Sequence, residues 1–349
     1  GLVGSEMCIR DSLSTMSREP PFGATYAGAT LEALKLASTL ENNLYKPTVM
    51  NPATLVSKGP LRIALDRVSE LQSQDGKKGF NIYYELHGNG AKRIVFLMGL
   101  NNSYFGCVQS HLSDISWLNQ VEDLAKDPAY SVLVLENRGF GNSDAPKERY
   151  KTSDMAVDVF EVLKHIGWLE ERSVHMVGVS MGGMIALEFA RHYPEYLASL
   201  LLMSTTAGRD SYSPSLRGPT FMAQNILGAV FNLDTPRTRV KRIVKLLFPQ
   251  QWIDAPHKNN PALSNGEVIE EVLEWRAEYT LRPTSHGALN QVKACLTHYV
   301  SPEALRLISQ TVPHIAIYTG DGKCCSISYS HRRSASEYAS IGVSIQAYP

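Results

Sequence analysis

The sequence lacks an excess of charge of either sign. Its 34 Lys and Arg balance 34 Asp and Glu over 349 residues. Proteins that bind nucleic acid or anionic membranes carry a basic excess, so neither partner is expected. No apolar run reaches the roughly 18 residues of a membrane-spanning helix. Cysteine is scarce: five in all, with Cys8, Cys107 and Cys295 isolated and Cys324 beside Cys325. No Cys-x-x-Cys pair or His/Cys cluster has metal-ligand spacing, so no metal is expected. Such thiols read as reduced, in an intracellular protein. No charged segment followed by an apolar one opens the chain, so no secretory leader is expected. What is present is globular: 44% hydrophobic and 19% charged residues, enough for a core without disulfide staples.

Both ends read as arbitrary cuts. The stretch Glu6 to Ser12 resembles adaptor read-through, which makes Met16 a candidate start. Residues 1–60 are expected to form an extension without chemistry, with one amphipathic helix within Thr30 to Leu44. Pro20, Pro21, Pro47, Pro52 and Pro60 punctuate the rest.

From residue 61 the pattern changes. Arg62 to Leu65 and Phe80 to Leu86 predict strands. Wholly apolar runs follow at Ile94–Met98, Val132–Leu135, Val174–Val177, Leu200–Met203 and Ile315–Tyr318. Such runs suit parallel strands buried on both faces. Helical stripes alternate with them. Met155, Ala156, Val159, Phe160, Leu163 and Ile166 make one, closed by Gly167. Ser180 to His192 makes another, stopped by Pro194. The alternation predicts an α/β domain over 61–349, with a mostly parallel central sheet flanked by helices. Residues of about 208–299 break the alternation and predict a helical cap over the C-terminal edge of the sheet, where open α/β folds bind substrates. Phe221, Met222, Phe231 and Trp252 are expected either to line its inner face or to pack it onto the core. Ser301, Pro302 and Glu303 mark the start of the next helix.

Gly178-Val179-Ser180-Met181-Gly182-Gly183 lies between a buried strand and a helix. This is the G-x-S-x-G nucleophile elbow in the context it requires. A turn that tight strains the nucleophile's backbone and leaves no room for side chains at Gly178 and Gly182. It presents the Ser180 hydroxyl and aims the Met181 N–H at a developing oxyanion. The loop Gly99 to Ser103, after another strand, is expected to give the second donor, the Leu100 N–H. Glu136 to Asp144, rich in glycine, reads as a structural turn beside the elbow.

These residues resemble the α/β-hydrolase superfamily over roughly Phe80 to Pro349. The pieces fall in family order: Met98-Gly99, Arg138 to Ser143, the elbow at Ser180, and Tyr318 to Asp321. Gly178 to Gly208 is similar to enol-lactonases, non-haem haloperoxidases and small carboxylesterases. His286 to His298 resembles the last cap helix of that group. The resemblance implies a Ser-acid-His triad and does not fix the substrate. The expected substrate is a carboxylic ester or lactone, with a small to medium apolar acyl group suggested by the cap, and no cofactor is expected. Epoxide hydrolases and haloalkane dehalogenases of this fold carry Asp at the elbow, where Ser180 stands here.

The same resemblance exposes two departures. The family acid occupies a G-x-x-D pattern, which counted from Gly320 lands on Lys323. Asp321 is therefore the first candidate acid and Asp210 the second. The family base follows the last strand, here Ile341 to Pro349, and the sequence stops there. His331 sits beside Arg332 and Arg333 as a surface residue, and His111 is at most a cleft residue. The chain is thus expected to be a serine hydrolase truncated before its histidine. A catalytically inactive fold that binds a ligand or partner protein is the alternative, and a haloperoxidase would use the same triad.

Overall fold

The computed structural model describes residues 53–63, 79–100, 117–208, 236–258, 260–279, 283–320 and 344–348. Eight strands form one sheet in the order β1-β2-β4-β3-β5-β6-β9-β10. They are β1 (Leu55–Ile63), β2 (Phe80–His87), β3 (Lys92–Leu97), β4 (Tyr130–Leu135), β5 (Val174–Val179), β6 (Leu197–Met203), β9 (Ile315–Gly320) and β10 (Ser344–Tyr348). The β1-β2 and β2-β4 pairs are antiparallel, and all the others are parallel. Each apolar run forms its predicted strand. The interior residues of β4 are buried, as a central strand covered on both sides must be.

The first strand departs from expectation. It begins at Leu55, so Leu55 to Pro60 belong to the sheet and not to a loose extension. Pro60 misleads the reading because proline normally punctuates. On β1 it pairs with Tyr83 at the edge of the sheet, where a missing N–H costs no ladder bond on the open side. The helix expected within Thr30 to Leu44 lies outside the described residues.

Helices cover both faces. On one side α1 (Leu118–Lys126) packs Val121 and Ala125 against Phe96, Val132 and Val134. On the other, α2 (Thr152–His165) and α3 (Met181–His192) carry Met155, Val159, Leu163, Ile185 and Phe189 into the main core. The end of α2 shows why its sequence stops there. Gly167 adopts φ 74°, its N–H reaches the Lys164 carbonyl, and the Trp168 N–H reaches Leu163 at 2.8 Å. That is a Schellman closure built on the predicted glycine.

Between β6 and β9 lie α4 (Pro236–Leu247), α5 (Gln250–Asp254), a hairpin of β7 (Pro256–His257) and β8 (Asn260–Ser264), α6 (Asn265–Tyr279), α7 (Ser285–Thr297) and α8 (Pro302–Thr311). The hairpin corrects the expectation of an all-helical insertion. Pro256 and Pro261 each lack the N–H that a helix needs. Val240, Val244, Ile253, Ile269 and Leu273 form a separate small core in this segment. As expected, Ser301 caps α8 by accepting from the Ala304 N–H. No helix among the described residues is long and apolar enough to cross a membrane.

Candidate active site at the switch point of the sheet

After β3 the chain runs to β4 on one side of it, then crosses to β5 on the other. The order of a doubly wound sheet reverses at such a point, and a crevice opens at the C-terminal ends of the flanking strands. Gly99 follows the end of β3, and Ser180 follows the end of β5.

Ser180 sits at φ 53°, ψ −118°, a conformation that a residue with a Cβ adopts only under strain. The surroundings enforce it. Its N–H extends the sheet by bonding to the Met203 carbonyl at 2.9 Å. Its carbonyl accepts from Gly183 N, Met184 N and, at 2.6 Å, the Thr205 hydroxyl. The glycines are required by contact. A Cβ on Gly178 would come 2.4 Å from the Gly182 carbonyl oxygen, and one on Gly182 would come 2.2 Å from that of Leu97. A Cβ on Gly183 would meet Thr205 at 2.6 Å. The elbow read from the sequence is therefore a close junction of β3, β5, β6 and α3.

The two expected donors lie beside it. Gly99 approaches so closely that a Cβ there would stand 3.3 Å from the Ser180 Cβ. Leu100 follows Gly99 and packs half-buried against the main core. Met181 is fully buried at the first turn of α3. Among the described residues, no backbone acceptor takes the N–H of either Leu100 or Met181. Asp321, Asp210, Lys323, His331 and His111 lie outside the described residues, as do Phe221, Met222 and Phe231. Trp252 stacks on Phe248 at 4.6 Å, within the small core of the inserted segment.

His298, His192, His175, His87 and His286 have other partners. His298 is buried, 2.8 Å from the Thr152 hydroxyl and 3.7 Å from Glu188. Glu188 lies eight residues along α3 from Ser180, about 12 Å at the helical rise. Burial pulls the His298 imidazole down to about 4, with the Thr206 backbone opposing. His192 pairs with the same Glu188. His175, bonded to the Ser199 hydroxyl, precedes Ser180 by five strand residues, about 16 Å. His87 joins a buried chain with Glu85 and Tyr83 and faces Val132, near the start of β4 and so away from the C-terminal edge. His286 donates to the Ala145 carbonyl.

The turn Glu136 to Asp144 is more elaborate than the sequence suggests. Buried Glu136 accepts from the backbone and side-chain amides of Asn142, and Gly141 packs flat against its carboxylate. Asn137 donates to the Met98 carbonyl at 3.0 Å. Arg138 makes a two-pronged, buried bond to Asp158 and lies over the rings of Phe80 and Tyr150. Burial pushes the Asp158 carboxyl up to about 6 in spite of Arg138. Burial also works against the Arg138 charge, but Asp158 outweighs it and leaves the guanidinium more firmly protonated than usual. From α7, Gln291 donates to the Arg138 carbonyl at 2.8 Å, and Asn290 reaches the carbonyls of Pro146, Lys147 and Glu148. Thr205, Asn137 and Glu136 were not legible as site residues. The only signal for Thr205 is its place in Ser204-Thr205-Thr206, at the end of the strand next to the elbow.

Known proteins share this fold. A family profile for the alpha/beta hydrolase fold matches residues 92–321. Epoxide hydrolase 4 of Mus musculus is 33% identical over 129 residues, 36% of this chain and 32% of that protein. A poly(3-hydroxyalkanoate) depolymerase of Ectopseudomonas oleovorans is 34% identical over 84 residues, 24% of this chain and 29% of that protein. The chain thus spans about a third of the length of these curated relatives. Among solved structures, the esterase EaEST from Exiguobacterium antarcticum superposes with a TM-score of 0.56 at 21% identity, over 80% of this chain and 90% of that one. The sheet order, the strained turn after β5 and a profile match across most of the described sheet lead to one family: the chain belongs to the alpha/beta hydrolase fold family.

Proposed function

We propose that this protein is a serine hydrolase that cleaves a carboxylic ester or lactone through an acyl-Ser180 intermediate. The strained backbone of Ser180, held at φ 53° where strand meets helix, carries the reading. Such strain persists only where the surroundings enforce it, and it clusters at active sites. Ser180 also separates this chain from the chemistry named for its mouse relative, because the resemblance implies Asp at the elbow of an epoxide hydrolase.

The Ser180 oxygen attacks the carbonyl carbon, and its proton passes to a histidine base. The carbonyl oxygen becomes an oxyanion held by the N–H groups of Leu100 and Met181, which the described backbone leaves free for it. The C–O bond breaks, the protonated base returns its proton to the leaving alkoxide, and water hydrolyses the acyl-serine by the same path. The base lies outside the described residues. Asp321 is the proposed acid and Asp210 the second candidate. Residues of about 208–299 serve as the cap over the crevice, and no cofactor takes part. The substrate is a small neutral ester, in keeping with a chain of zero net charge.

Lys323, at the expected position of the acid, favours one second reading: a fold that binds a ligand or partner without turnover. A fluorophosphonate probe on the full-length protein distinguishes the two. The hydrolase reading requires labelling that Ser180→Ala abolishes. An unlabelled wild-type protein would overturn it in favour of the binding module. A halide-dependent oxidation assay on the labelled protein tests haloperoxidase activity.

A further inference from the structure

Beyond the residues of the reaction itself, the oxyanion-binding backbone needs something to hold it, and the structure points to Asn137. Met98 lies one residue past the last β3 pairing with β5, Leu97 with Gly178, and two past the last with β4, Phe96 with Val134. Its carbonyl has therefore left the sheet ladder. The Asn137 amide takes it at 3.0 Å, from a side chain that is 4% exposed. On another side the same oxygen lies where a Cβ on Gly182 would come within 2.8 Å. The next residue, Gly99, lies where an added Cβ would stand 3.3 Å from the Ser180 Cβ, and it immediately precedes Leu100. A peptide is planar, so fixing the Met98 carbonyl also fixes the Gly99 N–H opposite it.

Asn137 has a rigid support. The Phe140 N–H bonds to its carbonyl, the neighbouring Arg138 is pinned to Asp158, and Gln291 of α7 holds the Arg138 carbonyl. We propose that Asn137 is a positioning residue, which sets the plane of the Met98–Gly99 peptide and through it the direction of the Leu100 N–H. This rests on the acyl-serine reading above. It also gives the turn after β4 a role in catalysis without contact to substrate.

The test uses Asn137→Ala and Asn137→Asp in the full-length protein. Neither side chain is larger than asparagine, so neither overpacks the site. Ester turnover and inhibition by a phenylboronic acid, which forms a tetrahedral adduct on serine, are both measured. The expected result is a 10- to 100-fold fall in kcat, below the loss from deleting a donor outright, with KM within about twofold. Boronate affinity should fall by a similar factor. A kcat within twofold of wild type in both variants would overturn the proposal. So would a fall in kcat with boronate affinity unchanged, which marks a purely structural role. A wild-type protein that neither turns over ester nor labels at Ser180 defeats the hydrolase reading itself, and this proposal with it. Active wild-type protein with fully active variants defeats only the proposal.

Discussion

The Thr205 hydroxyl donates a 2.6 Å hydrogen bond to the carbonyl oxygen of Ser180, so the segment that follows β6 braces the strained turn at the end of β5. The Thr205 methyl also lies against Gly183. Thr205→Val keeps the shape and removes the donor. The Ser180 carbonyl still has Gly183 and Met184, so the loss should be about 1 kcal/mol. A lower urea midpoint with an unchanged slope would register it, and fluorophosphonate labelling should slow in the same variant.

Two glycines should respond very differently to alanine. At Gly182 the new methyl would press on the Leu97 carbonyl, a backbone atom that cannot rotate away. Gly182→Ala is expected to cost about 3 kcal/mol and to abolish labelling of Ser180. Gly167 has φ 74° and open space around it. Gly167→Ala should cost only the left-handed backbone, about 1 kcal/mol, and leave labelling intact. Thermal unfolding of the two variants gives the comparison.

Removing Arg138 should produce a pH-dependent defect. Arg138→Met leaves the Asp158 carboxylate buried without a partner, a loss of roughly 3–5 kcal/mol. Burial already holds Asp158 near 6, and Arg138 is the group that pulls it down. Without Arg138 the folded value rises further above the unfolded one. The folded state then binds the extra proton, so stability falls as pH rises through that window. The variant should be closest to wild type at pH 5 and furthest from it at pH 8, read as unfolding midpoints.

His298 should impose the opposite slope. It stays neutral in the fold down to about 4 but takes a proton near 6.5 when unfolded. Its contribution is complete above about pH 6.5 and is lost as pH falls towards 4, roughly 3 kcal/mol in all. Glu188, raised by burial, works against this trend. The difference between wild type and His298→Gln isolates the histidine. The variant should show a flatter fall in stability between pH 6.5 and 4.

Buried strands announce themselves in sequence because two covered faces demand continuous apolar residues, as Val132 to Leu135 do. The elbow is equally legible, because Gly178 and Gly182 answer a steric demand made within five residues. Local punctuation also reads well where it has one meaning, as at Gly167 and Ser301. It misleads where it has two: Pro60 marks an edge strand as readily as a loop. The supports of the site are the least legible. Asn137 and Met98 lie 39 residues apart, and Gln291 and Arg138 lie 153 apart. No spacing rule links such partners before the chain has folded. Asp321 and Asp210 lie outside the described residues.

The chain leaves β6 and comes back to the sheet through a single gateway. Gly208 and Tyr299 face each other as an antiparallel bridge, and the Val300 N–H bonds to the Ala207 carbonyl at 2.7 Å. An excursion whose two ends are neighbours makes little demand on the sheet, however long it is. The entropy of closing it grows only with the logarithm of its length. Apart from α7, whose Gln291 and Cys295 pack onto the sheet domain, the stretch between those two residues can change length while the register of β6 against β9 stays as it is. The gateway thus lets the inserted segment vary in length without disturbing the strand junction that holds Ser180.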